Sequence, residues 1–283
     1  MKHEHIILES DVKITKNLIR SGVDVDYKDS FGNTALFYAN YDKAKVLIAS
    51  GANVNTVNNS GCTPIFSSDE DITKLLIEAG ANVNHQNKRG ETPLFFNNDD
   101  VEKAKLLITA GADVNHVDKY GTTALFYARY YKSKLLIAAG ADVNHRDNNG
   151  ESPLFSAYAK KAKLLIDRGG DINLENFLHQ TALFNADIET SRVLIDCGIN
   201  INHTDCSNSN ALLNDLNAKR YSRVSFLIEQ GIDINHIANN EYSALDYILE
   251  DQVPDTVIKE ITLAVKYSRE NIGSDIKKRR LKT

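Results

Sequence analysis

Five histidines of this 283-residue chain recur at one position: His85, His116, His145, His203 and His236 each stand five residues after a glycine. Imidazole nitrogens repeated at one offset are potential zinc ligands, so a metal array is the first chemistry to weigh. Geometry argues against it. Equivalent positions in stacked helical units lie about 8–10 Å apart, whereas a Zn–N bond is about 2.0–2.1 Å. Neighbouring units therefore do not share an ion. We read these histidines as structural residues of turns and expect neither a metal nor another cofactor.

Cations recur as well. Lys45, Lys74, Lys105, Lys134, Lys163 and Arg192 each precede a glycine by six residues, and Lys43, Lys103, Lys132 and Lys161 add a second row. Such rows could follow a phosphate backbone, which makes a nucleic-acid-binding array one reading. Against it, 33 Lys and Arg oppose 38 Asp and Glu, a formal charge of −5, so bulk electrostatics favour neither nucleic acid nor an anionic membrane. Solvated helix faces are the simpler reading of both rows. The basic end Ile276–Thr283 reads either as a localisation signal or phosphate patch, or as a frayed, solubilising terminus. No Gly-rich phosphate loop, metal-ligand spacing or nucleophile motif points to catalysis. Cys62, Cys197 and Cys206 are odd in number and lack C-x-x-C spacing, which fits reduced thiols in a cytoplasm. No apolar run approaches the roughly 20 residues of a membrane span. The polar start Met1–His5 runs into helix-like sequence, and no secretion signal is expected there.

The most suggestive set is aromatic. Tyr120, Tyr127, Arg129, Tyr130 and Tyr131 crowd one stretch, and Tyr38, Tyr41, Phe96 and Tyr158 fall at related places, which we assign to first-helix positions. Tyr and Arg are enriched in binding hot spots.

What must position these residues is a repeat. Gly51-Ala-Asn-Val-Asn55 returns at Gly80, Gly111, Gly140, Gly169, Gly198 and Gly231 with small changes, and Gly22-Val-Asp-Val-Asp26 precedes it. From Gly22 onward the steps are 29, 29, 31, 29, 29, 29 and 33 residues. A fixed period of this size means stacked units. Residues 118–146 show the plan. Asp118–Gly121 is a turn, and Thr122 or Thr123 offers a hydroxyl to cap a helix. Ala124, Leu125, Phe126 and Ala128 give a short apolar helix. Lys132–Ala139 gives a second, burying Leu135, Leu136 and Ile137, and Gly140 ends it in a left-handed conformation.

These motifs resemble the ankyrin repeat family, whose pattern runs from a D-x-x-G turn through T-P-L-H to a second helix and G-A-D-V-N. The matching tetrads are Thr34-Ala-Leu-Phe37, Thr63-Pro-Ile-Phe66, Thr92-Pro-Leu-Phe95, Thr123-Ala-Leu-Phe126, Ser152-Pro-Leu-Phe155 and Thr181-Ala-Leu-Phe184. The resemblance implies an all-α solenoid of helix–turn–helix units with projecting finger turns. It divides the chain into an N-terminal cap (1–28), seven repeats (29–57, 58–86, 87–117, 118–146, 147–175, 176–204 and 205–237), a C-terminal cap (238–272) and a basic tail (273–283). Leu107-x5-Asp113-Val-Asn115 and Leu136-x5-Asp142-Val-Asn144 are similar to the family's asparagine hydroxylation sites; we read these asparagines as structural.

The chain departs from the family pattern in three ways. Phenylalanine replaces the tetrad histidine, which predicts a stacked aromatic ladder in place of hydrogen bonds between turns. Four residues are missing between tetrad and second helix in most repeats, so the first helix or the turn after it should be shortened by about one helical turn and the inner face should narrow. His179, Asn208 and Glu241 replace the turn glycine, which predicts irregular fingers in the last units. A final helix from about Pro254 to Asn271, with the stripe Val257, Ile258, Ile261, Ala264 and Val265, should close the stack.

The resemblance implies a non-enzymatic module that binds a protein partner through its concave face and fingers, monomeric beforehand. Tyr38, Tyr41, Phe96, Tyr120, Tyr127, Arg129, Tyr130, Tyr131 and Tyr158 are the expected contacts. A chain that is nearly all repeat acts most directly by occupying its partner, which favours sequestration or inhibition. An adaptor joining two partners is the alternative within this class, and the nucleic-acid array lies outside it. An enzyme or toxin-like effector would have to fit into residues 238–283. The expected place is a cytoplasm, the producing cell's or, for a secreted effector or viral protein, a host's.

Overall fold

A computed structural model describes residues 6–9, 11–96, 99–249 and 253–280, with side chains in the last helix as far as residue 268. The expectation about Met1–His5 lies outside the described residues. The chain forms two compact units, Met1–Asn148 and Asn149–Thr283. Both are helical. Among the described residues the only β-type pairings are two isolated bridges, Thr204 with Asn210 and Ile237 with Ser243.

In the first unit, Ile6–Glu9 and Val12–Arg20 precede four repeats. Their first helices are single turns, Ala35–Tyr38, Pro64–Phe66, Pro93–Phe95 and Ala124–Tyr127. Their second helices have nine residues each: Tyr41–Ala49, Glu70–Glu78, Val101–Thr109 and Tyr130–Ala138. In the second unit the second helices are Ala159–Asp167, Ile188–Asp196 and Tyr221–Glu229. Its first helix is one turn at Ala182–Phe184, but Ala211–Asn217 runs seven residues in the repeat that keeps the full spacing. The four-residue deletion has thus been taken out of the first helix.

The core is one leucine deep. Leu47, Leu76, Leu107 and Leu136, one per second helix, are buried against Leu36, Ile65, Leu94 and Leu125 of the first-helix turns. Leu135 and Ile137 are only half-buried, because a nine-residue helix turns one face inward. This helix also starts at Tyr130, two residues before the expected Lys132, with Arg129 at its N-cap. At its other end Gly140 adopts φ +92°, Gly140 N donates to Ile137 O at 3.0 Å and Ala141 N to Leu136 O at 3.0 Å. That is the paired-bond exit expected of a C′ glycine.

The tetrad threonines do not cap. Thr34, Thr63, Thr92, Thr123 and Thr181 hold extended N-cap dihedrals, yet their hydroxyls are buried without a hydrogen-bond partner. Capping falls to the second helices, where Asn40, Asp69, Asp100 and Asp187 accept from the backbone.

The largest correction concerns lysine. The row Lys43, Lys103, Lys132 and Lys161 is not solvated; Lys103 and Lys132 are only 1% and 2% exposed. Each is the third residue of its second helix. Lys103 Nζ donates to Phe66 O at 3.1 Å and Ser68 O at 2.7 Å, and Lys132 Nζ to Phe96 O at 2.7 Å. Lys43 Nζ donates to Leu8 O at 2.9 Å. The carbonyls met by Lys103 and Lys132 end or follow the truncated first helix of the preceding repeat, where four more residues would have supplied amide donors. In the second unit Arg223 holds the same helix position and donates to Leu183 O and Phe184 O at 2.9 Å each, and to Ala186 O. Its guanidinium also grips buried Asp215 through two bonds of 2.6 and 2.8 Å.

Loops are tied from repeat to repeat. Asn55, Asn84 and Asn115 each donate Nδ2 to the next loop's glycine carbonyl, at 3.1, 2.9 and 3.0 Å. Each accepts at Oδ1 from the amide two residues beyond that glycine, at 2.8 Å. Both ends of the Asn115 amide are therefore used structurally. Successive fingers join by single backbone bonds, such as Lys88 N to Ser60 O at 3.1 Å and Lys119 N to Arg89 O at 3.0 Å. A Cβ on Gly121 would stand 2.9 Å from Asn148 N, so this glycine is needed for closeness as well as for φ.

The last fingers are not irregular. His179, Asn208 and Glu241 adopt φ of +58°, +54° and +66° and keep the same turn bond, to Asn176, Asp205 and Ala238. The final helix is longer than expected, Asp255–Arg280, and buries Val257, Ile261 and Val265. Residues 273–280 of the expected tail continue it as helix; residues 281–283 lie outside the described residues.

Candidate functional site

The tetrad phenylalanines are set by the recurring histidines. Phe66, Phe95, Phe126 and Phe184 meet His85, His116, His145 and His203 edge to face, with ring centroids 6.2–6.3 Å apart. Each imidazole Nε2–H donates to the finger carbonyl of its own repeat: His85 to Gly61 at 2.9 Å, His116 to Gly90 at 2.8 Å, His145 to Gly121 at 2.8 Å and His203 to His179 at 2.7 Å. His236 bonds Asn208 O at 2.6 Å in the same way. Histidine is not lost from these repeats; it has moved to the end of the repeat, and phenylalanine presses it against the finger.

The tetrad phenylalanines do not form the expected ladder with one another; where rings meet between repeats, the residue after one tetrad packs on the phenylalanine of the tetrad before it. In the first unit the residue after each tetrad is Tyr38, Ser67, Phe96 or Tyr127. Phe96 packs edge to face on Phe66 of the preceding repeat at 5.3 Å, and Tyr127 lies against Phe95 at 6.1 Å. Tyr38 donates its hydroxyl to Asp29 Oδ2 at 2.7 Å and accepts from Asn33 Nδ2 at 2.6 Å. Its hydrogen bond to the Asp29 carboxylate raises the phenol above its ordinary pKa. Tyr127 OH accepts from Thr122 Oγ1 at 3.1 Å. These bonds turn Tyr38 and Tyr127 toward the bases of their own fingers. With Phe96 they form an aromatic row along the groove between first helices and fingers, and Tyr120 stands at a finger tip, 62% exposed.

At Ser67 the row lacks a ring. Position 67 supplies no ring to Phe37, and a pocket of about 370 Å³ opens there, lined by Phe37, Tyr38, Phe66 and Phe96 together with Ser67 and Cys62. Burial pushes the Cys62 thiol up, which makes it a lining group and a poor nucleophile at neutral pH. A second pocket, about 420 Å³ in the second unit, is lined mostly by Asp, Asn and Ser side chains and carries no comparable aromatic wall.

The other expected contacts lie elsewhere. Tyr41, Tyr130 and Tyr131 open second helices, and Arg129 and Tyr158 are N-caps of second helices, so the assignment of Tyr41 and Tyr158 to the first helix does not hold. Tyr130 packs on Tyr131 at 5.3 Å, and Arg129 pairs with Asp99 of the preceding repeat at 2.8 Å, both partners exposed. These groups sit at the helix–helix link, past the end of the first helix and away from the finger. Tyr158 belongs to the second unit. Of the two cationic rows, only Lys45, Lys74, Lys105, Lys134, Lys163 and Arg192 are exposed. Ser67 is the position that sequence reasoning missed. Aligning the four tetrads of the first unit shows it as the one small residue beside Tyr38, Phe96 and Tyr127; in the second unit Ser156 and Asn185 hold the same position.

A family model for ankyrin repeats matches the chain in three overlapping copies, at residues 5–87, 65–147 and 95–176. Their span exceeds half of the 283 residues, and the chain belongs to the ankyrin repeat family. No curated protein matches it. Ankyrin repeats generally mediate protein–protein interaction. No helix among the described residues is long and apolar enough to cross a membrane.

Proposed function

We propose that this chain is a non-enzymatic binding protein that occupies a protein partner through the aromatic groove of its first unit, and thereby sequesters or inhibits it. The observation that carries this reading is the row Tyr38, Phe96 and Tyr127 with its open gap at Ser67. Rings and a pocket that accept a partner's side chain are how binding energy is concentrated in an interface. Burial of Lys43, Lys103, Lys132 and Lys161 removes four of the ten cations of the array, which weakens the nucleic-acid reading. The exposed residues at the helix–helix link, Tyr41, Arg129, Tyr130 and Tyr131, form a second contact zone in this proposal, and Tyr158 a separate one on the second unit. Three free thiols fit action in a reducing cytoplasm.

Partners captured from lysates of the producing organism and of any host supply the ligand for the test. Tyr127→Ala or Tyr120→Ala should weaken the captured partner by about 2 kcal/mol, roughly 30-fold. Lys105→Ala and Lys134→Ala, on the exposed side of the second helices, should leave its affinity unchanged. Calorimetry showing the reverse pattern would move the site to the outer face.

A further inference from the structure

We propose that the Ser67 gap is a receptor for one aromatic side chain carried on an acidic peptide segment of the partner. The proposal rests on the groove reading above and says what the groove selects. Two observations support it.

The first is the interrupted row. Wherever a ring follows the tetrad in the next repeat, it covers the tetrad phenylalanine before it, as Phe96 covers Phe66 and Tyr127 approaches Phe95. Phe37 is the tetrad phenylalanine whose cover would come from position 67, and serine supplies none. The opening of about 370 Å³ lies at the small end of the roughly 300–1,000 Å³ typical of ligand pockets. It suits a single side chain better than a folded surface. Phe37, Tyr38, Phe66 and Phe96 line it beside Asn33, Asn58 and Ser60, and the four rings favour an incoming ring in edge-to-face contact.

The second is charge. The two central residues of the four fingers in this unit are Ser30 and Phe31, Asn59 and Ser60, Lys88 and Arg89, and Lys119 and Tyr120. They hold three cations and no carboxylate. The carboxylates that open two of these turns are folded back, Asp29 Oδ1 accepting from Phe31 N at 2.8 Å and Asp118 Oδ1 from Tyr120 N at 2.9 Å. Arg89 is partly neutralised by Glu91 at 3.0 Å, while Lys88 and Lys119 are exposed and make no ion pair among the described residues. Lys88 N bonds Ser60 O at 3.1 Å, and Ser60 lines the pocket. A segment seated by its ring passes the neighbouring finger that carries Lys88 and Arg89, while the carboxylates nearest the pocket, Asp29 and Glu91, are engaged by Tyr38 and Arg89, so acidic flanks fit better than basic ones.

The chain contains no tryptophan, so the fluorescence of an indole probe reports on the probe alone. The probe is a blocked pentapeptide with one tryptophan between paired glutamates, titrated into the full chain at low salt; a peptide with lysines in place of the glutamates is the control. Saturable blue-shifted emission is expected, half-complete at or below about 1 mM, with the lysine peptide weaker by about tenfold or more. Ser67→Phe should abolish the shift by filling the gap with the protein's own ring. Lys88→Glu, at an exposed tip, should weaken the glutamate peptide while leaving the fold intact by circular dichroism. Absence of any shift with the native chain, or a shift that survives Ser67→Phe, would overturn the proposal. A captured partner released by Tyr127→Ala but kept by Ser67→Phe would sink the pocket and leave the groove standing. A captured partner kept by both would sink the groove, and the peptide titration would still decide the pocket.

Discussion

The Lys103 ammonium lies 2.7 Å from the carbonyl oxygen of Ser68, a residue of the repeat before its own. A charged donor thus takes the place of amide groups that the shortened first helix no longer has. Lys132 does the same for Phe96 O, and Arg223 for Phe184 O. In these three places the deletion and the cation form one structural solution; where Ile72 or Thr190 holds the same helix position, the deletion stands without a cation.

Two lysines of one helix should therefore behave differently. Lys103→Ala leaves two buried carbonyls without a donor and opens a cavity, a cost of roughly 3 kcal/mol. Lys105→Ala, two residues along and exposed, should stay within about 0.5 kcal/mol. Urea unfolding of both variants measures the contrast. Equal midpoints would mean that the buried bonds contribute nothing net.

Stability should rise with pH where most proteins show a plateau. Burial pulls Lys103 and Lys132 down to about 8, and Lys161 to about 7, from an ordinary 10.5. For a base whose folded pKa is lowered, the unfolded chain binds more protons between the two values, so unfolding free energy increases with pH across that window. The window runs from about 8 to 10.5 for Lys103 and Lys132 and from about 7 for Lys161; across it the first two add up to about 3 kcal/mol each and Lys161 up to about 5. Lys103→Met should remove its share of the slope. A flat profile for the native chain between pH 7 and 10 would show that carbonyl bonding holds these lysines at their ordinary values.

The phenylalanine–histidine pair can be tested from both sides. Phe126 is buried and meets His145 at 6.3 Å, so Phe126→Ala should cost about 3–5 kcal/mol. Phe126→His should also be poorly tolerated, because it sets a polar ring against an imidazole already committed to Gly121 O. In nitrogen-15 spectra His116 and His145 should both show the Nε2–H tautomer, and the Phe126→Ala variant should loosen that preference at His145 alone.

Glu241 holds a glycine's conformation at φ +66°. Its side chain is exposed. Relief of the left-handed strain outweighs the added freedom of the unfolded chain, so Glu241→Gly should stabilise the second unit by up to about 1 kcal/mol. A lower thermal midpoint for this variant would contradict the strain argument.

Much of this was open to sequence reading, and the misses are instructive. The glycine–asparagine string marks every second-helix exit and loop clamp, because left-handed backbone and a bridging amide restrict residue choice. Of the two cationic rows read as solvated, the one at Lys45 is exposed and the one at Lys43 is buried. Lys43 and Lys45 are two residues apart, about 200° around a helix at 100° per residue, so one row had to turn away from solvent. Noticing that angle beside the four-residue deletion would have placed Lys103 correctly. The fingers at His179 and Glu241 look irregular by residue preference, yet the neighbouring bonds impose the turn. Tyr41 and Tyr130 were displaced because the deleted turn brings the second helix forward. Ser67 escaped notice because a gap has no residue type to attract attention.

The lysine plugs also redraw what is inherited when such a gene lengthens. Copying one repeat from turn to turn would place a new helix end beside whatever residue the next copy happens to carry at its third helical position, isoleucine at Ile72 or threonine at Thr190 as readily as lysine. Copying from mid-repeat to mid-repeat keeps the shortened helices that precede Lys103, Lys132 and Arg223 with the cations that complete them. The natural module of duplication in this chain is thus out of phase with the motif by which its repeats are recognised, and recombinants joined at the fingers should fold less well than those joined between the helices.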